Sequence, residues 1–242
     1  MHPRIHRWII AVGVSTAFAF GWSSPAMARQ SVVVQTTPVI VQEPELSRAY
    51  YAHLRGQPAV YEVTVNEDLT FYASLLVPAT TPPPNDLQVE VLRTNELGAE
   101  ILIAVIQPTA TDWQPFRERL SGDNYWQGPS YRQDVGPGTY RLVVSSPTNT
   151  NTYVLAIGEQ ESWSASTFLG NLSVLPVIQS DIFGRAGWMF LFRGLVGTVV
   201  YYTIGFVVLL VALIAWRRHQ ALQHIIRQSD IVVEHREQTP RW

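Results

Sequence analysis

Over residues 48–160, apolar and polar positions alternate in short runs broken by Gly, Pro, Asn and Asp. Alternation with period two marks strands that bury one face. Segments 49–54, 60–65, 70–77, 87–92 and 101–106 read as strands, the last apolar enough for a sandwich core. Segment 140–145 follows a turn at Gly136, Pro137 and Gly138, turns again over 146–149, and is expected to close a hairpin with 153–157. Seven or eight such strands predict a mainly β fold, an antiparallel β-sandwich. Residues 29–47, rich in Val, Thr, Gln and Pro, read as an extended leader in which 32–34 and 39–41 can each add a strand.

The pattern then changes twice. Beyond Glu161, apolar residues recur at 168, 169, 172 and 175, a helical stripe with Ser164 as N-cap; Pro176 is placed to start a second helical piece. This amphipathic juxtamembrane segment, 161–193, is expected either to pack under the sandwich or to lie on a membrane surface. Phe183, Trp188, Phe190 and Phe192, with Arg185 and Arg193, read as an interfacial belt. From 194 to 216 there is no charged side chain for 23 residues. That matches the ~20-residue helix needed to cross a bilayer.

Charge and the first residues orient this span. Arg4 and Arg7, an apolar stretch, then Ala26, Met27 and Ala28 have the layout of a cleavable signal over 1–28, with an uncleaved anchor as the competing reading. Residues 29–193 hold ten Arg against sixteen acids, while the tail, 217–242, holds five Arg against three. The Arg excess after the span predicts a cytoplasmic tail, an extracytoplasmic domain over 48–160 and residence in the plasma membrane. The chain has no Cys and no Lys, which removes disulfides, thiol catalysis and Schiff-base chemistry. An acidic exported part argues against nucleic acid.

Residues Pro137, Gly138, Thr139, Tyr140, Arg141, Leu142, Val143 and Val144, then Asn151, Thr152, Tyr153, Val154 and Leu155, resemble the closing strands of bacterial pre-peptidase C-terminal (PPC-like) modules. The wider layout, with Leu54 to Pro58, Gly122 to Tyr125 and Tyr153 to Glu159 ahead of one span, resembles bacterial single-pass membrane-anchored proteins. The resemblance implies a jelly-roll or PPC-like sandwich. Such modules usually trail hydrolases, and no hydrolase domain precedes this one.

Candidate chemistry is sparse. Segment 107–130 reads as the longest irregular stretch, and its aromatics Trp113, Phe116, Tyr125 and Trp126, with Tyr131, are candidates for protein or glycan contact, or for capping the sandwich. Asp123 and Asn124, with Asp112, Asp86 or Asp134, offer oxygens for Ca²⁺, though without the spacing of a dedicated loop. His53 is the one exported histidine, and no nucleophile elbow accompanies it. Asn171, Leu172 and Ser173 match a glycosylation tripeptide. The expected function is a non-enzymatic, membrane-anchored module, without cofactor, that contacts another envelope or membrane protein; the alternatives are an envelope glycan binder and a hydrolase.

Overall fold

A computed structural model describes residues 29–80, 82–161 and 164–237. The signal expected over 1–28 and the last tail residues, 238–242, lie outside the described residues. The elements are β1 (Gln30–Val33), β2 (Val39–Val41), β3 (Arg48–His53), β4 (Ala59–Val65), β5 (Leu69–Pro78), β6 (Gln88–Thr94), β7 (Glu100–Ile106), β8 (Gln114–Arg117), β9 (Asn124–Val135), β10 (Gly138–Ser145) and β11 (Thr152–Ile157). Helix α1 (Ala165–Val177), a π-helical turn (Ile178–Ile182), a 3-10 helix (Gly187–Phe192) and α2 (Gly194–Glu237) complete the chain.

The strands form two mixed sheets stacked as a sandwich. The first has the order β1-β3-β11-β5-β9-β8 and the second β2-β4-β10-β6-β7. Pairing is antiparallel except where β1 joins β3 and β2 joins β4. The leader is therefore part of the sandwich: its Val-rich runs supply one edge strand to each sheet. Between the sheets lie Tyr61, Phe71, Leu75, Leu87, Leu142 and Leu155, all fully buried. Burying a large apolar side chain contributes ~1.5–3 kcal/mol. The Tyr61 and Tyr153 hydroxyls meet at 2.9 Å inside this core, so each has a partner despite its burial.

Segment 140–145 does not pair with 153–157. Strand β10 lies between β4 and β6, and β11 lies between β3 and β5 in the other sheet. The turn after Ser145 crosses the sandwich, held by Ser146 N–H to Asn149 Oδ1 (3.0 Å) and Ser146 Oγ to Asn151 Oδ1 (2.6 Å). Alternation reports that a strand has one buried face and not which sheet it belongs to.

The first sheet is covered on both faces, which is why β5 is buried along its last eight residues. On its outer face Tyr51, Leu76, Tyr125 and Val154 pack against Leu175, Ile178, Ile182 and Phe183. The amphipathic segment thus packs on the sandwich through α1 and the π-helical turn, starting where Ser164 Oγ accepts the Thr167 N–H at 3.0 Å. Pro176 lies within the last turn of α1 and does not begin a new helix. Helix α2 runs unbroken through the apolar stretch into the tail; its Gly194–Gln223 portion is long and apolar enough to cross a membrane.

Register defines two ends of the head. Pro78 pairs with Tyr125 at one end of β5 and β9, and Leu69 with Val135 at the other. The turn before β9, residues 118–123, touches the start of α2, so this is the near end. The far end carries the β9–β10 turn and the β6–β7 turn, which meet where Arg93 Nη2 donates to Pro137 O at 3.2 Å.

Candidate functional site

The near end is a joint built by one turn. The Glu118 carboxylate accepts the backbone N–H groups of Leu120 (2.9 Å) and Ser121 (2.6 Å) and the Ser121 hydroxyl (2.9 Å). Glu118 N–H donates to Asp123 O and Gly122 N–H to Glu118 O, closing the loop on itself. Its outward carbonyls then serve the helix: Arg119 O accepts Leu195 N–H (2.9 Å) and Leu120 O accepts Val196 N–H (3.3 Å). The first turn of any helix leaves N–H groups without intrahelical partners, and here the head supplies two acceptors. Contact is backbone to backbone. Gly122 has φ +70° and Gly194 φ +54°, and a Cβ on either would overlap the other's main chain.

Asp123 sits at the centre with no exposed surface. Its Oδ2 accepts Gln179 Nε2 at 2.5 Å, and its Oδ1 accepts Arg185 Nη1 at 3.0 Å, with Arg193 Nε 3.6 Å away. A buried carboxylate needs such partners to remain charged. Asp123 is therefore an ion-pair acceptor, and two guanidinium groups occupy the space in which a cation would be held. Both carboxylate oxygens that the Ca²⁺ reading of Asp123 and Asn124 would use are thus engaged by side chains; Asn124 is exposed beside it. Among the described residues no three His, Asp or Glu side chains gather as metal ligands. Next to the joint, burial pushes the Tyr51 hydroxyl up to about 12, with Glu118 adding to the effect. Burial likewise holds Tyr125 well above its ordinary value, with the Tyr51 and Asp123 charges adding to it.

The five aromatics do not form one surface. Segment 107–130 contains β8 and the first half of β9, and successive β9 side chains point to opposite faces. Trp113 is buried in the inter-sheet core, where Trp126 and Tyr131 are half-buried. Tyr125 is buried on the other face, edge-on to Phe183 at 5.3 Å, with Phe116 half-buried beside it. Trp113 and Tyr125 are thus removed from any contact surface. His53 Nδ1 lies 2.7 Å from Thr152 Oγ1 in a cross-strand pair. Asn171 is buried; its Oδ1 accepts Ser31 N–H (2.8 Å) and its Nδ2 donates to Arg29 O (3.0 Å). It caps the outer edge of β1, so the glycosylation reading falls.

On the second sheet, a strand whose apolar run predicts core is exposed. Strand β7 is the edge of the second sheet, with no strand beyond it among the described residues. Ile101, Leu102, Ile103 and Val105 are 40–53% exposed, and Leu97 at the tip of the β6–β7 turn is 92% exposed. A bulge between the Val91–Ala104 and Leu92–Leu102 pairs leaves Ile103 unopposed. Within the tip, Asn95 Oδ1 accepts the N–H groups of Leu97 (3.0 Å) and Ala99 (2.8 Å). Arg141 and Glu100 form an ion pair beside it. No signal in the apolar run itself distinguishes an edge from a core strand.

No protein-family model matches this chain, and no curated protein does. Among solved structures it is similar to the pre-peptidase C-terminal domain of collagenase from Bacillus anthracis, at TM-score 0.30 and 10% identity over 55% of this chain and 96% of that one. It is also similar to a ruminal GH26 endo-beta-1,4-mannanase, at TM-score 0.25 and 13% identity, covering 52% of this chain and 26% of that one.

Proposed function

We propose that the chain is a non-enzymatic, single-pass membrane anchor for an interaction head, located in the plasma membrane and facing out of the cytoplasm. Support for the orientation comes from Arg217 and Arg218 directly after the apolar run and from the signal-like first 28 residues. The head contacts another envelope or membrane protein through the β6–β7 hairpin. The observation that carries this reading is the set of exposed apolar side chains at 101, 102, 103 and 105 on edge strand β7 and at 97 on the turn before it. An apolar patch of this kind on a folded surface marks an interaction site. Glu96 is exposed next to Leu97, and exported residues are net acidic. The matching surface is accordingly apolar with a basic rim.

Photo-crosslinking in native membranes tests the proposal, with the reactive group placed at 97 or 102 and, as a control, at exposed Asn66. Adducts to one membrane or envelope protein from 97 and 102 and not from 66, lost with Glu96→Arg, support it. Equal adduct patterns at all three positions, or none, reject it.

A further inference from the structure

Helix α2 does not leave the head alone. The 3-10 helix Gly187–Phe192 descends beside it: the Phe192 ring lies 6.0 Å from that of Tyr201, about two helical turns into α2. The backbone at Phe192 passes so close to Gly197 that a Cβ there would overlap it. Trp188 stands edge-on to Phe192 at 5.8 Å. Trp188 is 60% exposed, Phe192 46% and Leu191 37%, and the Phe192 ring adjoins Tyr201, itself 56% exposed on α2. The cations that flank it in sequence, Arg185 and Arg193, are both turned to Asp123. Of the aromatics expected in a belt, Phe183 is buried and Phe190 packs against the head. What remains is a neutral wedge on one side of the helix.

We infer that Gly187–Phe192 is a second membrane-seated element, whose partner is the lipid surface, with Trp188, Leu191 and Phe192 at the boundary between headgroups and acyl chains. This rests on α2 spanning a bilayer and adds what a span alone leaves open. A turn level with Tyr201 enters the apolar zone whenever the first two turns of α2 do. Aromatic rings settle at that depth. A single helix permits the head to swivel about its axis. A second contact off that axis, joined to the head through the Asp123 ion pairs, fixes which side of the sandwich faces the membrane.

The chain has no cysteine, so Trp188→Cys, Phe192→Cys, Val208→Cys and Leu169→Cys each take one environment-sensitive label in the full-length protein in phosphatidylcholine vesicles. Labels at 188 and 192 should be quenched by shallow spin-labelled lipid and show about threefold or more protection from aqueous iodide relative to 169, which is exposed on α1. If 188 and 192 are as open to iodide as 169 while 208 is shielded, the wedge is wrong and the span stands. If 208 is open as well, both are wrong. Energy transfer from a label at Leu97→Cys to a lipid dye gives a second readout. The distance distribution should widen in the Trp188→Ser, Phe192→Ser background, and an unchanged distribution overturns the fixed orientation.

Discussion

The two ends of the head handle their exposed groups in opposite ways. At the near end loop carbonyls meet helix N–H groups, Asp123 meets two arginines and a glutamine, and glycine backbone meets glycine backbone. Two of the four outer edges of the sheets repeat the contrast. Strand β1 is capped by Asn171, whereas β7 ends its sheet with apolar side chains in the open. Edge strands invite association, and native proteins shorten, bend or cover them. In this head β1, β2 and β8 are three or four residues long, while β7 has seven and only a bulge. On the proposed reading, the long open edge is where a partner docks.

The largest effect should come from the near end. Asp123→Ala leaves Gln179 Nε2 and two guanidinium groups without their acceptor. The half-exposed arginines recover some hydration, so the expected loss is about 2–4 kcal/mol. Urea denaturation of the full chain in detergent, followed by tryptophan fluorescence, reads it; a loss below ~1 kcal/mol would mean that the ion pairs do not hold the joint. Asn171→Ala should cost about 1–2 kcal/mol by orphaning Ser31 N–H and Arg29 O. Hydrogen exchange at Ser31 should accelerate while the β10 amides stay protected, and uniform acceleration would show that β1 is not separately held.

Alkali gives a third, smaller handle. Tyr51 titrates near 12 in the folded head against an ordinary 10.0. The folded state therefore keeps its proton longer, and the stability this provides is intact below pH 10 and declines as pH rises from 10 to 12. Tyr51→Phe should flatten that decline and leave neutral-pH behaviour close to wild type; an equal slope would place the sensitivity elsewhere. The smallest effect on stability belongs to the far end. Leu102→Asp should shift unfolding by no more than ~0.5 kcal/mol yet abolish crosslinking from position 97. A large loss of stability would mean that β7 is core after all.

How much could be read beforehand follows the same division. Period two located β3 to β7, β10 and β11, and the uncharged run located α2, because both patterns are local. Ser164 was readable as a cap for the same reason. The joint was not. Asp123 precedes Arg185 and Arg193 by 62 and 70 residues, and its own neighbours, Gly122 and Asn124, spell an ordinary turn. Strands β8 and β9 were hidden by Pro115, Gly128 and Pro129, which interrupt alternation without ending the pairing. The apolar composition of β7 was plain. Its exposure depends on where the sheet stops, which no window of sequence contains.

Helix α2 is 44 residues long and its first turn is bonded to the head. At 1.5 Å per residue it is a rod of about 66 Å, so a 5° rocking of the sandwich would swing its opposite tip through roughly 6 Å. Held by its first turn, such a rod converts a small tilt of the sandwich into a displacement of its far tip.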